Sequence, residues 1–236
     1  MKILGLSDMH GIGYDLPKLE EVDYAFIGGD VSPLIIQAYT KDMRAWMKDN
    51  FISWLLALPV RKNVFVVAGN HDFFFERHED EVREMFKAAG GKLVYLNNEV
   101  WKNDELEVFG SPWCKTFGNW AFMKPVGRET EAEELYQGYQ EFIKEAGRKT
   151  VLLTHDAPYG LSDVLLQTSC PWARGEHIGN WALRKLIEEK QPDLHLHGHL
   201  HSTSHNPEYL RHTEVRCISI LDENYNATYE PLILEL

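Results

Sequence analysis

Short apolar runs alternate along the chain with stretches in which apolar residues recur every three or four positions. Lys2–Ser7, Val22–Gly28 and Asn63–Ala68 read as buried strands. Lys92–Leu96 follows as a strand, and Val100–Trp101 with Leu106–Phe109 reads as a pair turned at Asn103-Asp104. Further strands are predicted at Thr150–Thr154, Asp193–His197, Val215–Ile220 and Leu232–Leu236. Between them, Thr40 is placed to cap a helix in which Met43, Met47, Phe51, Trp54, Leu55 and Leu58 share one face. A second helix is expected over Glu79–Ala89, ended by Gly90-Gly91, and an acidic one over Glu129–Ala146, ended by Gly147. A fourth spans Asn180–Lys190. Alternation early and strands late predict an α/β protein with sheets packed in layers and helices outside. No repeat, linker or shift of composition divides the chain, so one domain over residues 1–236 is expected.

Composition narrows the function. At 236 residues, 44% apolar and 25% charged, the chain has ordinary globular make-up and can close a large core. Its net charge is −12 and no run of Lys or Arg forms a basic stripe, which disfavours duplex DNA or long RNA as partner. The longest uncharged stretch, Phe51–Val60, is far too short to span a membrane, and Lys2–Ser7 is too short for the apolar part of a secretion signal. Cys114, Cys170 and Cys217 are odd in number and widely spaced, so they read as buried thiols in a reducing compartment. A cytoplasmic location is expected.

Five polar clusters stand directly after predicted strands: Asp8-x-His10, Gly28-Gly29-Asp30, Gly69-Asn70-His71-Asp72, Thr154-His155 and Gly198-His199-Leu200-His201. Each alone has a structural explanation, since Asp, Asn and Gly are turn residues and Asn-His-Asp can cap a helix. Together they are carboxylate, imidazole and amide oxygen donors gathered at strand carboxyl ends, where open α/β sheets place their sites. Such donors suit Mn, Fe, Zn or Co. Glycines beside them let backbone approach a metal or phosphate without a Cβ in the way.

In this order the clusters resemble the calcineurin-like metallophosphoesterases, whose pattern is Asp-x-His, Gly-Asp, Gly-Asn-His-(Asp/Glu), His and Gly-His-x-His. The likeness extends over nearly the whole chain. Within that family it is strongest to the small metallophosphoesterase-domain-containing group related to a brain-expressed animal protein, notably over 55–75, 110–120, 152–161 and 193–201. Some members of that group carry Gly at the position of His199, a loss not shared here. The resemblance implies a sandwich of two mixed β-sheets flanked by helices. It also implies one divalent metal on Asp8, His10, Asp30 and His201, and a second on Asp30, Asn70, His155 and His199, with Mn favoured in vitro. Two cations about 3.5–4 Å apart need a shared anion, which fits Asp30 as a bridge and a hydroxide as nucleophile. His71 resembles the imidazole that steadies the phosphoryl charge and protonates the leaving oxygen. Relatives often add an Asp three residues after Gly-Asp to orient this imidazole; here that position is Pro33, so its orienting partner is open.

His195, His197, His199 and His201 alternate with period two, so spacing alone does not select a ligand pair; the family register assigns His199 and His201 and leaves His195 and His197 to the strand. Arg174 and His177, in a polar loop before a helix, are candidates to touch substrate, and equally read as a solvated loop. Trp113, Phe117 and Trp120 are candidates for a pocket wall or for core packing. The expected activity is hydrolysis of a small phosphodiester, with inversion at phosphorus. Phosphomonoesterase or protein phosphatase action is the alternative. A partner-binding scaffold would predict eroded ligands, and a nuclease would predict a basic groove.

Overall fold

The computed structural model describes residues 1–12, 19–166 and 174–236. In chain order the elements are β1 (Lys2–Leu6), β2 (Tyr24–Ile27), α1 (Thr40–Trp46), α2 (Ile52–Ala57), β3 (Val64–Val66), α3 (Phe73–Arg77), α4 (Glu79–Ala88), β4 (Leu93–Tyr95), β5 (Glu99–Lys102) and β6 (Leu106–Ser111). They continue with β7 (Cys114–Lys115), β8 (Met123–Lys124), α5 (Ala132–Leu135), β9 (Lys149–Thr154), α6 (Trp181–Lys190), β10 (Leu194–His197), β11 (Glu208–Leu210), β12 (Thr213–Cys217) and β13 (Leu232–Glu235).

These strands form the expected pair of mixed sheets. One runs β13-β1-β2-β3-β4 and the other β11-β12-β10-β9-β6-β5, with β7-β8 as a small ribbon. Both have a parallel centre; the first sheet has one antiparallel edge, β13 on β1, with β4 parallel at the other, and the second has two, β11 on β12 and β5 on β6. The apolar runs are nearly continuous because the central strands are covered on both faces. Ile3, Tyr24, Phe26, Phe65 and Val67 face Val108, Val151, Leu153, Leu194 and Leu196 across the gap between sheets. The alternate residues Leu4, Leu6, Ala25, Ile27, Val64 and Val66 turn outward onto Met43, Met47, Phe51 and Leu55 of the α1–α2 helix. On the far side, Phe109 and Leu152 meet Leu183, Leu186 and Ile187 of α6.

Four local differences from the sequence reading have physical causes. The first helix has Tyr39 at its N-cap position and Thr40 inside it, and it widens into one π-turn at Met47–Phe51. The helix expected over 129–146 breaks up: α5 is one turn, and a 3-10 turn follows at Tyr139–Glu141. Ala132, Leu135, Tyr136, Tyr139 and Phe142 are all buried against the second sheet, so the apolar periodicity is real. Gly138, at φ 83°, turns the backbone left-handed in the middle of it. The strand expected at Val215–Ile220 ends at Cys217, because the chain then crosses between sheets. The Ile218 amide bonds the His197 carbonyl, whereas the Ile220 amide bonds that of Ser7. Finally, α3 follows Asp72 directly, a short helix that the sequence pattern did not predict.

Candidate metal centre

All five clusters converge at the carboxyl ends of β1, β2, β3, β9 and β10. The turns that leave these strands are tight. Asp8, His10, Asp30 and His199 have φ of 55°, 44°, 50° and 69°, a left-handed region that non-glycine residues seldom occupy and that gathers at functional sites. Gly198 is required by crowding, since a Cβ there would lie 2.3 Å from an Asp8 carboxylate oxygen and 2.0 Å from Ser7 Oγ. At Gly69 a Cβ would stand 2.3 Å from Asp30 Oδ1 and 2.6 Å from the His155 ring.

The side chains form one polar nest. Donor atoms of Asp8, His10 and His201 all lie within 4.8 Å of one another, as do those of Asp8, Asp30 and His155. Asp30 is central: its Oδ2 is 3.8 Å from His10 Nε2, 3.4 Å from His155 Nε2 and 4.0 Å from His71 Nε2. Asn70 Oδ1 is 3.0 Å from His155 Nε2. The ring nitrogens facing away are anchored, His155 Nδ1 on the Gly28 carbonyl at 2.8 Å and His201 Nδ1 on the Asp222 carbonyl at 3.0 Å. Such contacts fix the tautomer and aim Nε2 inward. Asp8 accepts from Ser219 Oγ at 2.6 Å and from the His199 amide at 3.0 Å. Asp72 clamps the second and third loops together, accepting from the Ser32 amide and hydroxyl and from the Gly69 amide.

The electrostatics suit a cation. Burial opposes charge on Asp8 and Asp30, yet the facing imidazoles hold both carboxyls well below the usual range. Burial equally opposes charge on His155, but the Asp30 carboxylate overrides it and lifts the imidazole to about 10. Asp8 does the same for His201, raising it to about 9. Protons on these imidazoles thus balance buried carboxylates that a divalent cation could neutralise instead. His10 tests the fit most sharply. Burial lowers it to about 4, so it is neutral, and both of its buried ring nitrogens lack any hydrogen-bond partner. Leaving such a group unpaired costs about 1–3 kcal/mol, which coordination would recover. The donor set therefore fits divalent metal.

A cavity of about 140 Å³ opens onto the nest, lined by Asp30, Asn70, His71, His199 and His201 together with Phe117, Trp120, Glu223 and Tyr225. A larger cavity of about 300 Å³, under Trp46, Phe51 and Trp54, holds none of the candidate ligands. Of the predicted wall, Phe117 and Trp120 line the site, whereas Trp113 packs on Phe122 and donates from Nε1 to Asn97. Arg174 and His177 are not among the lining residues: Arg174 is exposed, and His177 is held 2.6 Å from Asp163, beside Tyr159. Cys170 of that loop lies outside the described residues. His195 and His197 are fully buried in β10.

Several contributors were missed from sequence. Gln37 Oε1 accepts from His71 Nδ1 at 2.7 Å, which answers what orients that imidazole. Pro33 opens the turn that brings it there, its carbonyl taking the Gln37 amide at 3.0 Å. Cys114 lies within 4.8 Å of the donors of His155 and His199, although burial pushes its thiol well up and away from the thiolate a metal would need. Glu223 and Tyr225 come from the turn between β12 and β13.

Two mixed sheets with carboxylates, imidazoles and an amide gathered at their strand ends define an α/β sandwich with a candidate metal centre. The particular family follows from comparison. Residues 1–203 match the calcineurin-like phosphoesterase family, and the chain belongs to it. The human metallophosphoesterase domain-containing protein 1 is 24% identical over 79% of this chain, and a UPF0046 protein of Caenorhabditis elegans is 25% identical over 96%. The chain spans 58% of each of these relatives. A probable rhamnogalacturonate lyase C of Emericella nidulans is 28% identical over 85% of this chain, which spans only 17% of that protein. Among solved structures, the Thermus thermophilus protein TT1561 superposes with a TM-score of 0.59 at 14% identity over 92% of this chain and 88% of its own. The phosphopantetheinyl hydrolase of Mycobacterium tuberculosis gives 0.55 at 14% identity, covering 95% and 90%. At such identities the two structures support the fold alone.

Proposed function

We propose that the chain hydrolyses a small phosphodiester using two divalent cations, with manganese the metal of choice in vitro among Mn, Fe, Zn and Co. One cation is assigned to Asp8, His10, Asp30 and His201, the other to Asp30, Asn70, His155 and His199. The observation that carries this reading is the Asp30 carboxylate, which stands between His10 of the first set and His155 of the second, within 4 Å of both. A shared anion at that place is what two adjacent cations require.

When bound, the cations would acidify a water molecule and offset charge on the phosphoryl oxygens. The protein's own groups do the rest. His71 donates a hydrogen bond from Nδ1 to Gln37 Oε1 and turns Nε2 toward the cavity; burial lowers its imidazole pKa, so it is the anionic phosphate that favours the protonated ring which holds a phosphoryl oxygen. As the water oxygen, having lost one proton to solvent, bonds to phosphorus, the opposite P–O bond breaks and the departing oxygen takes the Nε2 proton of His71. Attack from the side opposite the leaving group inverts phosphorus.

Two features support a diester over a monoester. Among the described residues lining the cavity there is no Lys or Arg to match the second charge of a monoester, and Glu223 adds negative charge. The net charge of −12 also disfavours long nucleic acids, whose many phosphates this surface does not neutralise. The test is kcat/KM of manganese-loaded protein on an aryl phosphodiester, its monoester, a cyclic nucleotide and single-stranded DNA. A dominant preference for the monoester would replace this reading with a phosphatase, and tight, steeply salt-dependent DNA binding would replace it with a nuclease.

A further inference from the structure

We infer that the substituent on the diester that stays behind carries an alkylated ammonium group; this rests on the phosphodiester reading above. Three aromatic rings surround the candidate ligands at the cavity mouth. The Trp120 ring lies 4.4 Å from that of His71, Phe117 5.1 Å from His199, and Tyr225 4.9 Å from His10 and 5.6 Å from His201. Phe117 is 54% exposed and Tyr225 38%, so apolar ring faces stand in water beside a polar nest until something covers them. Among the described residues, Glu223 is the one carboxylate besides Asp30 that lines this cavity.

The arrangement is built in advance. The Asp222 carboxylate accepts from the amides of Asn224 at 2.8 Å and Asn226 at 3.0 Å, which closes the turn that presents Glu223 and Tyr225. The same residue's carbonyl anchors His201, and the Ser202 amide bonds Glu223 Oε1 at 3.2 Å. Tyr225 is held at φ 61°. Carboxylate and ring are therefore positioned relative to a candidate ligand rather than left loose.

Ring faces attract cations, most of all weakly hydrated ones such as alkylated ammonium groups, and a carboxylate on the same wall adds to the attraction. An anionic substituent would be repelled by Glu223. A neutral ring would gain from the aromatic wall but nothing from the carboxylate. A substrate with one negative phosphate and one positive end uses every element of this wall.

The experiment compares p-nitrophenyl phosphorylcholine with p-nitrophenyl neohexyl phosphate, in which a quaternary carbon replaces the nitrogen, on the manganese-loaded full chain. The choline ester should show a kcat/KM roughly ten-fold higher or more. That ratio should fall toward one in both Glu223→Gln and Trp120→Leu. Independently of turnover, tetramethylammonium chloride should shift the Trp120 indole N–H resonance, assigned with Trp120→Phe, and neopentyl alcohol should not. Equal kcat/KM for the two esters, or a full preference retained in Glu223→Gln, overturns the ammonium inference and leaves the diesterase reading standing. Hydrolysis of p-nitrophenyl phosphate with neither diester touched removes the diesterase reading itself.

Discussion

His195 and His197 lie within β10, while His199 and His201 lie just beyond its end; four residues of one type, two positions apart, divide between the packed strand and the polar nest. Inside the strand, alternation sends Leu194 and Leu196 to the core between the sheets and both histidines to the outer face, where they are sealed from water. Burial pushes His195 well down and His197 to about 4, so both are neutral packing groups. Thr154 Oγ1 spends its one proton on the Asp156 carbonyl, so His195 Nε2, 2.8 Å away, is the donor of that pair. Past the strand, Gly198 fits against Asp8, His199 takes a left-handed φ with its ring 5.1 Å from that of His155, and His201 Nε2 comes 3.3 Å from the Asp8 carboxylate. What separates a core histidine from a candidate metal ligand here is the strand end, not the residue.

The sharpest break of this contrast is on the far side of the strand end. His201→Ala or His199→Gly should lower metal content and reduce turnover beyond the roughly 10–100-fold cost of losing a group behind a ligand; elemental analysis beside kinetics reads both. His71→Ala belongs to the nest but not to the assigned ligands. It should cut kcat by roughly 10²–10⁴-fold while metal content stays at the wild-type value. Loss of metal in that variant would make His71 a ligand.

Gln37→Ala should act through His71 alone. Turnover of a diester with an alkyl leaving group should fall by about ten-fold, within the range expected for a proton donor that is misaligned rather than removed. Turnover with p-nitrophenolate as leaving group should hardly change, since that oxygen leaves without a proton, and Gln37→Glu should restore part of the alkyl rate. An equal fall on both substrates would mean a general disturbance. Smallest of all, His195→Leu should keep metal and activity and change stability by less than about 1.5 kcal/mol, read by chemical denaturation. Metal loss in this variant would erase the contrast between strand and turn.

The features that were legible in sequence are those written in short range. Asp8-x-His10, Gly69-Asn70-His71 and Gly198-His199-Leu200-His201 each follow a strand within a few residues, so strand pattern and turn residues together locate them. Gln37 is 34 positions from His71 and reaches it through a turn that no apolar periodicity marks. Glu223 and Tyr225 arrive on a polar turn whose shape depends on Asp222 bonding forward to Asn224 and Asn226. In 129–146 the helical period was present, but it said only which side chains are buried; Gly138 decided the backbone. Among the described residues no helix is long and apolar enough to cross a membrane.

In the proposed mechanism Asp30 joins two cations into one working centre. Metal titration into the apo protein, with activity followed at every addition, tests it most directly. Activity should rise with the second equivalent and plateau near two ions per chain, and Asp30→Asn should lose both the second ion and the activity. Full activity in exhaustively metal-free protein, or a plateau at one ion with Asp30→Asn unimpaired, would mean that Asp30 bridges no metal pair.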